Sequence, residues 1–127
     1  MAVLYNKMKG GLVVVIDGGG EEITTGVKGY LYCPFGFTIT GVTMGADQSG
    51  SIVVDIWKDT HANYPPTDAD SITASAVPTI SSATKSQDTT LTGWTTDVNA
   101  GDWLGFNVDS VTNIELLTLV LNYTRTD

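Results

Sequence analysis

Side chains able to do chemistry are scarce in this chain. In 127 residues there is one cysteine, Cys33, one histidine, His61, and six lysines and arginines against 14 aspartates and glutamates. A single thiol excludes an internal disulfide, so any disulfide would have to join two chains. One Cys and one His cannot furnish a tetrahedral zinc site. The formal charge of −8 repels nucleic-acid backbones and anionic bilayers, which argues against both as partners. Long apolar runs are missing too. The run LVVVI, residues 12–16, falls far short of the about 20 apolar residues a membrane helix needs. DGGGEE follows it where a secretion leader would carry a small-residue cleavage site, so neither a membrane span nor a leader is expected.

Catalytic signatures are equally sparse. A nucleophile elbow needs Gly-x-Ser-x-Gly between a strand and a helix, and neither that pattern nor a helical periodicity occurs. Gly18, Gly19 and Gly20 lack the Gly-Lys-Ser/Thr that completes a phosphate cradle. His61, close to Tyr64 and two prolines, reads as a loop residue rather than a general base. Asp68 and Asp70 lie in TDADS without EF-hand spacing and read as solvated loop carboxylates rather than calcium ligands. The expectation is a protein that is not an enzyme, with no catalytic residue, cofactor or metal.

What the chain has in quantity is strand pattern. Apolar residues make up 42%, charged residues only 16%, and there are 14 glycines, a balance that suits an all-β domain with polar, Thr- and Ser-rich turns. The clearest strand is Ser51–Asp59, SIVVDIWKD, which sets Ile52, Val54 and Ile56 on one face and Val53, Asp55 and Trp57 on the other. Before it, ITTGVKGYLYCPFGF (23–37) alternates, with Val27, Leu31 and Cys33 opposite Lys28, Tyr30 and Tyr32. Thr38–Met44 alternates again, with Ile39, Gly41 and Thr43 opposite Thr38, Thr40, Val42 and Met44, and GADQSG (45–50) reads as a turn into the central strand. Residues 61–90 hold three of the four prolines and are expected to be a long connection, with a short edge strand near Ser75–Ile80. Asn99, Ala100 and Gly101 mark a tight turn ahead of alternating Leu104, Phe106 and Val108, and a last strand covers Asn113–Thr124. About eight strands without helix predict an antiparallel two-sheet sandwich, jelly-roll-like, with an N-terminal arm. Residues 1–20 are expected as the arm and its Gly-rich hinge, and residues 21–127 as the sandwich domain.

Two stretches are candidates for contact. Leu12, Val13, Val14, Val15 and Ile16 form a β-branched run that suits a strand covered on both faces, one that either enters the core or, as part of the arm, adds to a neighbouring chain through main-chain hydrogen bonds. Trp57, Trp94 and Trp103 could stack on sugar rings, although a strand tryptophan more often belongs to the core.

The runs ADQSGSIVVDIWKD (46–59), ADSITASAVPTISSATKSQDTTLTGWTT (69–96) and AGDWLGFNVDS (100–110) occur in an order that resembles a module of tailed-bacteriophage virion proteins, found at the C-terminal end of tail or head-fibre proteins. The resemblance spans about residues 21–127. It implies a structural protein of the virion, assembled in the host cytoplasm. With only a short arm ahead of the module, the expected role is a capsid decoration or cement protein. Such a protein would form a homotrimer, holding the major capsid protein or another virion protein through the arm. The alternative it implies is a receptor-binding fibre tip that recognises host surface glycans.

Overall fold

The computed structural model describes residues 8–126. Its strands are β1 (Lys9–Asp17), β2 (Gly26–Tyr32), β3 (Phe37–Thr60), β4 (Thr79–Asp88), β5 (Asp97–Val98), β6 (Asp102–Thr112) and β7 (Leu116–Arg125). Two single turns of 3-10 helix, His61–Asn63 and Asp68–Asp70, interrupt the long connection after β3. Among the described residues there is no α-helix. All pairings are antiparallel, and the seven strands form one sheet curled into a half-barrel, in the order β1-β7-β3-β6-β2 with β4 and β5 on the remaining edge of β3.

The organiser is β3, whose 24 residues run through the expected turn at 45–50 without reversing. Its first half, Phe37–Ala46, pairs with β7, and its second half, Ser51–Thr60, pairs with β6. β6 and β7 therefore lie end to end along one edge of β3. β1 and β2 repeat the arrangement one position further out, β1 against β7 and β2 against β6. The sheet thus consists of two halves joined at a corner made of residues 18–25, 46–50 and 113–115.

That corner is pinned by side chains. Asp47 Oδ1 accepts from the N–H groups of Glu115 and Leu116 at 3.1 and 3.0 Å, Glu22 Oε2 accepts from Asn113 N–H at 2.8 Å, and the Gln48 amide donates to the Asn113 carbonyl. Gly50 permits the close passage, since a Cβ there would sit 2.3 Å from the Thr112 carbonyl oxygen. The expected hinge, DGGGEE, is part of this corner. Gly18 N–H donates to Glu115 O and Ile23 N–H to Ile114 O, at 2.7 and 2.9 Å, and Asp17 Oδ1 accepts from Gly19 N–H at 2.8 Å.

One core fills the concave side. Ile52, Val54 and Ile56 of β3 are fully buried as their alternation predicts, and so are Leu104, Phe106 and Val108 of β6 and Leu117, Leu119 and Leu121 of β7. Simple alternation fails at bulges, two of which overturn expected faces. A register shift at Thr40 puts Ile39, Val42 and Met44 all inside, although period two sets Ile39 opposite the others. A second shift, at Lys28, turns Val27 outward beside Tyr30 and Tyr32, where the pattern placed it with the core. β4 begins near the expected edge strand but extends it well into the Ser/Thr-rich stretch.

Residues 8–20 do not hang away from the body. β1 pairs with β7 over its whole length in unbroken register, with Leu12, Val14 and Ile16 facing Leu121, Leu119 and Leu117. Residues 1–7 lie outside the described residues.

Candidate functional site

The outer face of the β2-β6-β3 half carries an aromatic surface. Side chains directly opposite in an antiparallel ladder share a face. The registers therefore align Tyr32, Trp103 and Asp59 in one row, Tyr30, Gly105 and Trp57 in the next, and Val27, Asn107 and Asp55 in a third. Over these rows folds the connection 61–73. It is tied to the free side of β3 by a bridge between Ser71 and Trp57 and by Ile72 N–H donating to Ile56 O at 2.9 Å.

This connection delivers two more rings. Tyr64, which precedes a cis Pro65, sets its ring 4.6 Å from Trp103 and 5.3 Å, edge-on, from Tyr30. His61 stacks on Trp103 at 6.3 Å with planes 21° apart, and Tyr32 meets Trp103 edge-on at 5.2 Å. Trp103 Nε1 donates to His61 Nδ1 at 3.0 Å. An indole N–H can only donate, so the imidazole proton lies on Nε2, the other ring nitrogen. The tyrosines stay open to solvent, Tyr30, Tyr32 and Tyr64 being 39, 46 and 44% exposed. Gly105 makes room beneath them, since a Cβ there would lie 3.3 Å from the Tyr30 ring and 3.4 Å from buried Pro66.

A polar margin adjoins the rings. Asp59, in the Trp103 row, accepts from Thr60 N–H at 2.7 Å and from the Asn63 amide at 3.2 Å. The Thr60 N–H and then the Asn63 amide hold its carboxyl below the usual carboxylate range. Asp70, weighed as a calcium ligand, caps its own 3-10 turn, accepting from Thr67 N–H at 2.8 Å. Among the described residues no three potential metal ligands converge.

Of the three tryptophans offered as a sugar platform, only Trp103 is in this surface. Trp57 is buried under the 61–73 connection, its indole N–H given to Asp55 Oδ2 at 3.2 Å. That Asp55 is itself buried and also accepts from Ser71 Oγ, Thr73 Oγ1 and Ile56 N–H at 2.7 to 2.8 Å. Trp94 is buried too and donates to Ala76 O at 2.9 Å. Both indoles are consumed by the interior, so neither can receive a ligand.

The residues missed by sequence reasoning are Tyr30, Tyr32, Tyr64 and His61. One signal was legible: Tyr30 and Tyr32 alternate with Leu31, which sets two aromatics on a solvent face. Their register against Trp103, and the return of the 61–73 connection, are tertiary facts.

The second candidate, Leu12–Ile16, is split by the pleat. Leu12, Val14 and Ile16 turn inward, while Val13 and Val15 project outward, 60 and 58% exposed. Beside them on the same outer face, Leu116 and Thr118 line a shallow depression with Gly45, Ala46 and Asp47.

No family model, no curated protein and no solved structure matches the chain.

Proposed function

We propose that this chain is a structural protein of a tailed-bacteriophage virion and that its aromatic surface recognises glycans on the host. The observation that carries the recognition role is the cluster of Tyr30, Tyr32, Tyr64, His61 and Trp103, held by the sheet register and left open to solvent. Sugar rings present C–H faces that settle on aromatic planes, and their hydroxyls find the phenolic groups, the Asn63 amide and the Asp59 carboxylate at the margin. An acidic margin also favours a neutral or basic ligand over a phosphate-bearing one. We read the two halves of the bent sheet as the opposed layers of a jelly-roll-like sandwich, supported by the single core to which both contribute.

Binding of host-surface polysaccharide, followed by isothermal titration calorimetry, tests this reading. Trp103→Ala and Tyr64→Ala are each expected to weaken binding about two- to tenfold, since an aromatic contact of this kind contributes about 0.5–1.5 kcal/mol. Val15→Ala, on the other half of the sheet, should leave it unchanged. Wild-type affinity in Trp103→Ala would end the recognition reading.

The second reading, a capsid decoration protein, is favoured by the exposed Val13, Val15 and Leu116 on the outer face of the β1-β7 half. An apolar patch of this kind suits contact with another virion protein. Copy number separates the two: hundreds per particle for decoration, a handful for a tip.

A further inference from the structure

β1 ends the strand order, with β7 as its one described neighbour. At the two ends of the β1-β7 ladder, Arg125 N–H donates to Met8 O at 2.8 Å and Gly18 N–H donates to Glu115 O at 2.7 Å. Bonded positions alternate in an antiparallel ladder, so the even-numbered residues between them bond to β7. The main-chain N–H and C=O groups of Lys9, Gly11, Val13, Val15 and Asp17 therefore point away from β7, and no described strand pairs with them. The same five residues are all exposed.

We propose that two copies of the chain join edge to edge through β1, antiparallel, about a two-fold axis at Val13. In this register Val13 faces its own mate, Gly11 faces Val15 of the other copy, and Lys9 faces Asp17 of the other copy, at both ends. Every facing pair is one whose main-chain groups already point outward, so each can exchange both N–H···O=C bonds. Among the residues of β1 the charges match only here. A slip of two residues sets Lys9 against a valine or an empty position, and a parallel arrangement sets lysine beside lysine. Size matches as well, since the bulk of Val15 meets a glycine.

The two ends of the sheet differ in a way that supports the pairing. Exposed edges are normally blunted by proline, bulges or charge within the strand. β2, the other end of the order, carries a bulge at Lys28. β1 has an unbroken register, no proline, and a charge only at each end. It keeps none of the devices that would discourage a partner in its middle. The pairing is isologous and closes at two copies, where the phage resemblance implies three. It does not depend on the glycan reading, because the aromatic surface lies on the other half of the sheet.

Sedimentation equilibrium of the full chain is the test, with circular dichroism and melting to verify the fold of each variant. The wild type is expected at twice its 13.4 kDa. Val13→Lys sets like charges across the axis and should yield a monomer that still melts in one cooperative transition, at a temperature that no longer depends on protein concentration. Lys9→Glu places two acidic pairs at the ends and should weaken dimerisation about tenfold. Adding Asp17→Lys to it should recover most of that loss, which no other register allows. A monomeric or trimeric wild type, a dimer that persists in Val13→Lys, or a charge swap without recovery would each overturn the proposal.

Discussion

The two halves of the sheet share one core and differ in what they show to solvent. On the β1-β7 half the outer face is more aliphatic and more open: Val13, Val15 and Thr118 are exposed around a half-buried Val120. On the β2-β6 half the outer face is aromatic and partly roofed, because residues 61–73 return across it and bury Trp57 and Asp55. The inner faces are interchangeable in kind, Leu117, Leu119 and Leu121 on one half and Leu104, Phe106 and Val108 on the other. Inward positions are constrained by packing alone, whereas outward positions are free to differ, and recognition can be placed on them without disturbing the core.

The largest expected effect comes from removing one half's inner face. Deleting residues 1–16 strips Leu12, Val14 and Ile16 from Leu121, Leu119 and Leu117 and leaves the β7 main chain unpaired, so the shortened protein should show no cooperative melting transition. The single change Leu119→Asp should do nearly the same, since an unpaired carboxylate at a site with no solvent exposure costs several kcal/mol. Val120→Asp, one residue along on the half-buried outer face, should cost about 1 kcal/mol. Equal melting of the two aspartate variants would mean the faces of β7 are wrongly assigned.

An intermediate effect belongs to the corner between the halves. Gly50→Ala forces a methyl group against the Thr112 carbonyl and the Ile114 side chain, 2.3 and 2.8 Å away, and should destabilise by about 2–4 kcal/mol in chemical denaturation. Gly45→Ala, a few residues earlier on the same strand, meets nothing within 4 Å and should be close to neutral.

The smallest effect is a pH dependence on the β2 side. Burial, aided by the Asp102 carboxylate and opposed by Lys58, pushes the Cys33 thiol up from 9.0 to about 12. A folded-state value above the unfolded one means the stabilisation is fully present below pH 9.0 and is lost as pH climbs toward about 12. The stability difference between wild type and Cys33→Ala should therefore narrow over that window, with the tyrosines common to both cancelling. A constant difference would refute the assignment. The same burial makes Cys33 a poor partner for the interchain disulfide that a lone cysteine allows.

Strand content and much of the core were legible in the sequence because period-two alternation is local. Ser51–Asp59, Leu104–Val108 and the buried leucines of the last strand can be read directly. The bulges at Lys28 and Thr40 were not legible, since a bulge appears only when two strands are laid side by side. The 45–50 stretch looks like a turn because Gly45, Asp47, Ser49 and Gly50 favour one, yet Asp47 spends its carboxylate capping the β6-β7 corner and the strand runs on. The same limit hid the aromatic surface, as Tyr30, Tyr64 and Trp103 are far apart in the chain and meet only through register and loop return.

By itself the sequence determined an all-β chain with an apolar interior, one thiol, one imidazole and a formal charge of −8, because composition and local alternation need no partner strand to be meaningful. The tertiary structure alone decided which tryptophan reaches solvent, that Leu12–Ile16 belongs to the sheet, and which edge stays open. Those are questions of which distant residues come to lie opposite one another, and no local pattern carries that information.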